Sequence, residues 1–570
     1  MVNLRSELRA AIADAIRRGQ EAGDLPHGEV PEIPVEYPPD VGSKRLGDYA
    51  SPVALSLAKQ WKRQPMDIVE ALRKQLAPLP FVKTVEAVAP GFLNFTLDSS
   101  WLSTKIDDLI EEGSALGRSD AGRGASINLE FGSVNPTGFP HVGHGRSLFF
   151  ADVLGNVLTH TGYVVTREYY VNDMGTQVAR YGESVLRRIL QADGHAVEFP
   201  AELYQGEEVH GIAAQVREEL VEDRGHAFAP ADLQNPALLA EITRRAVAVT
   251  MREIRRVLEE LAGIRYDVWF LESTLHERGD VREVLEALRK KGHTYERDGA
   301  VWLKTTAFGD TQDRVLVKSG GEPTYLTPDI AYHRDKFRRG FQVLADFWGA
   351  DHHGHVAPLR AGLTALGEDV SRLWIGLVHL VRVLQGGEAK KASKRLGTAV
   401  PLHELLVLIG SSATRFFLTS KPLSTPLDLD LDLARAQKEE NPVYYAQYAY
   451  VRLAGILRKA KEQNLVQDSM TLGRPETSTA ALHETETRLL TLGFRLPEVL
   501  EDIARTWEVQ RLPQYALEFA RAVHRFYDTV PVLRTEERDL LRTRLALTVA
   551  ARTALAKVFD LLGVEKREVM

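Results

Sequence analysis

The chain of 570 residues contains no cysteine. That excludes disulfides and every thiolate zinc site. No apolar run approaches the roughly 20 residues needed to span a bilayer, so a membrane role is not expected. No low-complexity tract or short-period repeat stands out, and the 43 glycines and 26 prolines are dispersed. The first residues, Met1-Val-Asn-Leu-Arg-Ser-Glu-Leu-Arg-Ala, read as a charged amphipathic helix and not as a secretory signal. A soluble cytoplasmic protein is the expectation. The net charge of -7 provides no overall basic field. A local basic surface is enough to meet RNA phosphates, so the charge balance neither selects nor excludes RNA. What the chain does have is 44% hydrophobic residues, enough for several sizeable cores.

The alternating run Ile127-Asn-Leu129-Glu-Phe131 predicts a buried strand, and Leu148 to Leu158 predicts a helix. Between them lies Asn135-Pro-Thr-Gly-Phe-Pro-His141-Val-Gly-His144-Gly-Arg146-Ser147, which puts two histidines on a glycine-softened turn before a helix start. In a doubly wound sheet that is where phosphates bind. Gly143 and Gly145 remove side chains that would keep a nucleotide from the backbone. Far downstream, Lys391-Ala-Ser393-Lys394-Arg-Leu-Gly397 follows the loop-like Gly386-Gly-Glu-Ala-Lys390. A run of lysines is usually a solvated face; interleaved with Ser and Gly, these suit a mobile loop closing on polyphosphate.

Leu4, Leu8, Ala11, Ile12, Ala15 and Ile16 form one helical stripe that Gly19 is expected to stop. A Pro-rich connector, two further helices (Ala54 to Trp61, Met66 to Leu76) and strands at Val82 to Val88 and Gly91 to Leu97 complete a compact α+β module. The Gly/Ser-rich stretch from Gly113 to Ser126 is its boundary. Tyr163 to Val171 predicts a second strand of the nucleotide-binding sheet, and a charged helical insertion is expected over about 181–265. Val301-Trp-Leu and Arg314 to Lys318 are expected to bring that sheet back. Thr327 and Pro328 then suit an N-cap and first helical position. Val343 to Trp348 predicts another buried strand, and from Leu402 onward the pattern is almost wholly helical.

The paired histidine and Lys-x-Ser-Lys segments resemble the ATP-handling motifs of class I aminoacyl-tRNA synthetases. Adenylate formation needs a carboxylate in line with the α-phosphate of ATP, charge stabilisation at phosphorus and a grip on pyrophosphate. His141, Gly143, His144, Lys391, Ser393 and Lys394 are the candidate ATP-binding set, with His141, His144, Lys391 and Lys394 as its catalytic members. Magnesium is expected through ATP oxygens without an all-protein cage, and zinc is not expected. One departure from that family is Ala392 in place of its usual Met.

A guanidinium substrate demands buried carboxylates, because its planar fork pairs with them bidentately. Asp329, in the first turn of its helix after Tyr325, and Glu130, near the end of the first strand before Asn135, would face the strand carboxyl edge. Acids in a helix's first turn are also favoured by the dipole alone, so chemistry leaves both roles open for Asp329.

Phe131-Gly-Ser-Val-Asn135-Pro-Thr-Gly, Asn172-Asp-Met-Gly-Thr-Gln177, Tyr325-Leu-Thr-Pro-Asp329-Ile-Ala-Tyr-His and Asn441-Pro-Val-Tyr-Tyr-Ala-Gln-Tyr-Ala-Tyr450 are together similar to the arginyl-tRNA synthetase family. The likeness covers nearly the whole chain, including Gly47-Asp-Tyr-Ala and Gly91-Phe-Leu-Asn-Phe. It implies an α/β fold with a class I Rossmann-type core, an N-terminal α+β module and a C-terminal α-helical bundle. The corresponding division is 1–115 for the added N-terminal domain, 116–375 for the catalytic domain with its insertion, 376–440 for the Lys-x-Ser-Lys loop and stem-contact region, and 441–570 for the anticodon-binding domain.

The resemblance also implies residue roles. Arginine would be held by Glu130, Asn135, Tyr325 and Asp329, with Asp351 or His352 at a position where other members have Gln. Phe92 and Asn94 would touch the tRNA elbow, and Tyr445, Tyr448, Arg452 and Met570 the anticodon loop. Positions 445, 448 and 452 share one helix face, and aromatics with Arg suit unstacked bases. The implied activity is ATP-dependent ligation of L-arginine to tRNA(Arg), giving AMP and pyrophosphate, by a monomer with no DNA or membrane partner. The family likeness further implies that activation needs bound tRNA.

Rival readings are another class I synthetase, such as glutamyl or cysteinyl, and a catalytically silent synthetase-like RNA-binding protein. Asp329 and Glu130 oppose an acidic substrate, the absent cysteines oppose a cysteinyl-type zinc site, and the retained histidines and lysines oppose silence.

Overall fold

The computed structural model describes residues 3–38, 46–389, 400–465 and 482–570. Lys391, Ala392, Ser393 and Lys394 lie outside the described residues.

In the N-terminal module, helices Leu4–Glu21, Val53–Trp61 and Pro65–Gln75 accompany an antiparallel sheet whose middle strand, Phe92–Leu97, lies between Tyr49–Ser51 and Val82–Val88. Gly19 does not stop the first helix, which continues to Glu21. It is a packing position: a Cβ there would stand 2.6 Å from Leu25 Cδ1.

The central sheet has five parallel strands: β1 (Ser126–Glu130), β2 (Val164–Val171), β3 (Val268–Leu271), β4 (Val343–Gly349) and β5 (Leu373–Val378). Their order is β5-β4-β1-β2-β3, with every neighbouring pair parallel. The order reverses at β1, so a crevice opens between β1 and β4 at their carboxyl ends. Helix α1 (Val142–His160) follows β1, and helix α2 (Leu326–Arg338) precedes β4.

The strand that returns after the insertion is β3. Ala300–Leu303 instead lies between Thr294–Arg297 and Arg314–Val317 in a separate antiparallel sheet. Asp298 and Gly299 explain the difference. Both have left-handed φ, 52° and 74°, which closes a two-residue hairpin, whereas a parallel partner needs a long crossover. The insertion itself runs through helices Gly175–Ala192, Glu208–Arg224 and Pro236–Arg255, with a core of its own built on Tyr181, Val185, Ile189, Val216 and Ile242. Beyond Leu402 the helical pattern holds except at Leu427–Asp430, a strand parallel to Val381–Gln385.

Four long helices form the C-terminal bundle: α3 (Pro442–Glu462), α4 (Glu484–Thr506), α5 (Arg511–Thr529) and α6 (Arg538–Leu562). Asn441 caps α3 through its side-chain oxygen, with Pro442 at the first helical position. The N-terminal module docks on α4. Buried Glu498 accepts from the Tyr37 hydroxyl at 2.6 Å, the Tyr49 hydroxyl at 3.1 Å and the Arg5 backbone N–H at 2.8 Å. The Arg5 guanidinium reaches Asp502 at 2.7 Å, and Arg495 lies 4.1 Å from the Tyr37 ring centroid.

Glu498→Ala removes the acceptor of three donors, two buried hydroxyls and a backbone N–H. The expected loss is about 1–3 kcal/mol for each buried donor left unpaired, seen in denaturant unfolding as early release of the N-terminal module, with Glu498→Gln milder. An unchanged first transition would remove Glu498 from the docking contact.

Candidate active site

α1 begins at Val142, earlier than the apolar pattern from Leu148 predicts, because the histidines cap it themselves. His141 is the N-cap, and its Nδ1 accepts from Gly143 N–H at 3.1 Å. His144 Nδ1 accepts from His141 N–H at 3.2 Å, completing a reciprocal capping box. The two rings stack with centroids 3.7 Å apart. Both Nδ1 atoms accept, so each neutral ring carries its proton on Nε2, a donor left for a ligand. Burial pushes His141 below its usual range, and burial with the neighbouring His141 pushes His144 down to about 3.

Gly143 makes room for a ring: a Cβ there would stand 2.9 Å from His141 Cε1. Gly145 is buried, and its Cβ would stand 3.1 Å from Leu418 Cδ1, so its smallness serves helix packing and not nucleotide approach. Arg146 donates to the His379 carbonyl at 3.1 Å and the Pro422 carbonyl at 2.5 Å, tying the first turn of α1 to the end of β5. Val142 N–H donates to Val400 O at 2.9 Å and Leu402 N–H to Pro140 O at 2.8 Å. The chain following the Lys-x-Ser-Lys segment is thereby pinned beside His141.

Asp346 on β4, Glu130 on β1 and Glu168 on β2 are register partners. They therefore project from one face of the sheet. His333, Lys336 and Arg339, three residues apart along and just past α2, meet them. Lys336 Nζ lies 2.5 Å from Glu130 Oε2 and 2.7 Å from Asp346 Oδ1. His333 Nε2 lies 2.7 Å from Asp346 Oδ2. Arg339 pairs bidentately with Glu168 at 2.6 and 2.8 Å. Burial pushes Asp346 up, but Lys336 and His333 overcome it and hold the carboxyl well below its usual range. Glu130, His333 and Asp346 also lie close enough together to suit a cation; the Lys336 ammonium already stands between the two carboxylates. Glu130 Oε1 accepts from Ser133 Oγ at 3.0 Å, so both its oxygens are engaged.

Asp329 lies one turn before His333 on the same face of α2 and has no cation of its own among the described residues. Burial pushes its carboxyl up to about 7; His333 opposes this, while Glu272, Glu130 and Asp346 add to it. Buried Glu272, directly after β3, is also raised, first by burial. The Tyr170 hydroxyl at the end of β2 is buried and faces Glu272 without closing a hydrogen bond of good geometry.

α2 starts at Leu326, not after Thr327. The Thr327 hydroxyl does not cap the helix but donates to Leu316 O at 2.7 Å, fastening it to strand Arg314–Val317. Tyr325 stands at the mouth, 61% exposed. Asn135 is exposed and donates to Gln177 Oε1 at 3.1 Å. Asp351 and His352 occupy an exposed 3-10 turn just past β4, 3.8 Å apart.

Further away, Tyr445 and Tyr448 on α3 flank His524 of α5, with ring centroids 4.3 and 6.0 Å from it. Arg452 lies over Tyr448 at 5.1 Å and Tyr527 at 4.6 Å, and pairs with Asp528 at 3.1 Å. Met570 borders a cleft of about 580 Å³ beside Tyr444 and Gln447. Phe92 is half-buried, and Asn94 is buried, its amide donating to Leu46 O at 2.7 Å.

Sequence reasoning missed Glu272, Tyr170, His333, Lys336 and Arg146. The three-residue spacing of His333, Lys336 and Arg339 from Asp329's helix face was a readable signal. Glu272 had only its place after a short apolar run.

Three family models match the chain. They are the arginyl tRNA synthetase N terminal domain over residues 3–97, the class I (R) tRNA synthetase catalytic domain over 106–413 and the DALR anticodon binding domain over 446–570. The arginine–tRNA ligase of Moorella thermoacetica is 40% identical over 568 residues, 99% of each chain. That of Geobacillus thermodenitrificans is 37% identical over the full length of both. The fold matches the arginyl-tRNA synthetase structures from Thermus thermophilus (TM-score 0.72, 22% identity) and Plasmodium falciparum (TM-score 0.74, 16% identity), each covering 100% of both chains.

The capping geometry has a direct spectroscopic consequence. In ¹⁵N-histidine spectra, His144 is expected to keep a neutral Nε2–H ring down to pH 5, since protonating Nδ1 would break the cap. Titration near the ordinary histidine value would contradict the stacked arrangement.

Proposed function

The chain belongs to the arginyl-tRNA synthetase family, and on that premise we propose how its residues divide the work of joining arginine to tRNA. It is an arginine–tRNA ligase with a class I catalytic domain, for which ATP, arginine and tRNA(Arg) are the partners. The Nε2–H groups of His141 and His144, at the positive end of α1, donate to ATP phosphate oxygens. Lys391 and Lys394, with Ser393, which precede in sequence the Val400 that bonds Val142, neutralise the departing pyrophosphate. Magnesium rides on ATP oxygens, and no zinc takes part.

The single observation that carries substrate choice is the unpaired Asp329 carboxyl beside three carboxylates that already have cations. A guanidinium supplies the missing charge, with Glu272 and the Tyr170 hydroxyl beside it and Tyr325 at the rim. Glu130 holds the floor of the site through Lys336, and Asn135 and Asp351 or His352 border it. Tyr445, Tyr448, Arg452 and Met570 receive the anticodon loop; Phe92 and Asn94 meet the tRNA elbow. The domain division stated from sequence (1–115, 116–375, 376–440, 441–570), a monomeric state, a cytoplasmic location and the absence of a DNA partner belong to the same reading. With total tRNA and each standard amino acid in turn, arginine alone is expected to be esterified; lysine charging at a comparable rate would overturn the assignment.

Asp329→Asn is expected to raise the arginine KM steeply, at a cost of about 2–5 kcal/mol for a truncated charge pair. With the parent carboxyl ionising at about 7, the arginine KM should rise as pH falls below 7 and level off above it. The variant should lose that pH dependence. The stability sign is opposite: folding holds this carboxyl protonated above its unfolded value, so stability is lost as pH rises from about 4 to 7. Asp329→Asn should therefore gain more melting temperature over the parent at pH 8 than at pH 4. A KM within about threefold of the parent would make Asp329 a helix-terminus acid only.

Tyr448→Ala should raise the tRNA KM by the equivalent of roughly 1–3 kcal/mol per stacked base and leave ATP and arginine binding unchanged. Lowered melting temperature with parental tRNA affinity would instead place Tyr448 in the packing alone.

A further inference from the structure

The row of buried charges beneath the cleft points to a role for His333, and the inference rests on Asp329 being the guanidinium partner. We propose that His333 is a positioning residue, held as a doubly protonated imidazolium that staples the first turn of α2 to β4 and leaves Asp329, the α2 carboxylate facing the cleft, to take its cation from the substrate.

Hydrogen-bond chemistry carries the first half. His333 Nδ1 lies 2.7 Å from the Asp329 carbonyl oxygen, and Nε2 lies 2.7 Å from Asp346 Oδ2. A backbone carbonyl only accepts, and so does an ionised carboxylate. A neutral ring has one N–H and would set two lone pairs against each other at the second contact. Moving the proton to Asp346 is disfavoured, because Asp346 Oδ1 accepts from the Lys336 ammonium at 2.7 Å. Both ring nitrogens must therefore donate. Burial pushes the ring toward neutrality, but Asp346 more than offsets it and holds His333 above its usual range.

Charge counting carries the second half. Asp346, Glu130 and Glu168 face His333, Lys336 and Arg339, so this set is internally balanced. The groups around the ring are Tyr332 and Lys336 on its own helix, Asp346 and Trp348 on β4 and Glu130 on β1. Glu168 and Arg339 lie beyond Lys336, and Glu272 faces Asp329 from the far side. No second cation serves Asp329 from these elements. The imidazolium one turn away lowers the cost of ionising Asp329 and orients the turn that carries it, without touching substrate.

The test uses full-length His333→Gln, whose amide can donate to Asp346 but carries no charge and holds both its N–H donors on one nitrogen. The arginine KM at pH 7 is expected to rise about tenfold, and the pH below which KM climbs is expected to move up by about one unit. kcat at saturating arginine and the ATP KM should stay within about twofold. In ¹⁵N-histidine spectra of the parent enzyme, both His333 nitrogens should be protonated at pH 7. A KM raised equally at every pH from 6 to 9, or a singly protonated ring in the parent, would overturn the proposal. The spectra decide it even if the variant does not fold. An unaltered KM in Asp329→Asn would instead overturn the reading of the guanidinium site. A steep effect there, with the pH midpoint of His333→Gln unmoved, would sink the role of His333 alone.

Discussion

Three carboxylates side by side on adjacent strands are tolerable inside a protein only if something cationic faces them. Leaving one unpaired costs several kcal/mol. Here Asp346, Glu130 and Glu168 stand in register across β4, β1 and β2, and α2 supplies His333, Lys336 and Arg339 at matching intervals. The arrangement fixes α2 against the sheet in rotation and in height together. A slip of one residue along the helix would turn all three cations away from their partners. Asp329 and Tyr325 ride on that helix, so the placement of the proposed substrate carboxylate is a consequence of charge pairing beneath it.

The histidine motif depends on the same sheet from its other side. α1 leaves β1 through a cap made of its own imidazoles, and the buried Arg146 holds its first turn to the end of β5. Lower on α1, Asp152 pairs with Arg415 at 2.5 Å, and Arg415 also donates to Ala262 O at 2.7 Å. Asn156 donates to Leu561 O at the end of α6 at 3.1 Å. The helix that begins with the histidine pair is thus bonded directly to the last turn of the helical bundle. The N-terminal module reaches the same bundle through Glu498 and Arg5, and one continuous core runs from Leu4 to Val564. Among the described residues, the N-terminal module, the helix that begins with the histidine pair and the helical bundle are joined by buried contacts.

Much of this was legible in the residues themselves. Apolar alternation placed β1, β2 and β4, helical stripes placed the bundle, and the paired histidine and lysine segments with the family likeness named the chemistry. Local patterns suffice where an element's hydrogen bonds and buried face are dictated by its own sequence. They failed where a partner from elsewhere decided the outcome. Ala300–Leu303 has the look of a sheet strand, yet the Asp298-Gly299 turn folds it into a hairpin, while the unremarked Val268–Leu271 joins the parallel sheet. Gly19 resembles a stop but is a contact for Leu25, and Thr327 resembles a cap but bonds a neighbouring strand.

The sequence by itself determined which residues bear charge, which segments are helical and which family the chain joins. Tertiary structure alone decided which charges cancel. Glu130 and Asp329 are both acids near a strand or helix end, and nothing in either neighbourhood distinguishes them. Only when β1 lies between β4 and β2, with α2 across them, does Lys336 reach Glu130 while Asp329 has no such partner among the described residues. The reason is that electrostatic pairing acts over a few ångströms in space between residues 206 positions apart in the chain, a separation that no periodicity or local motif encodes.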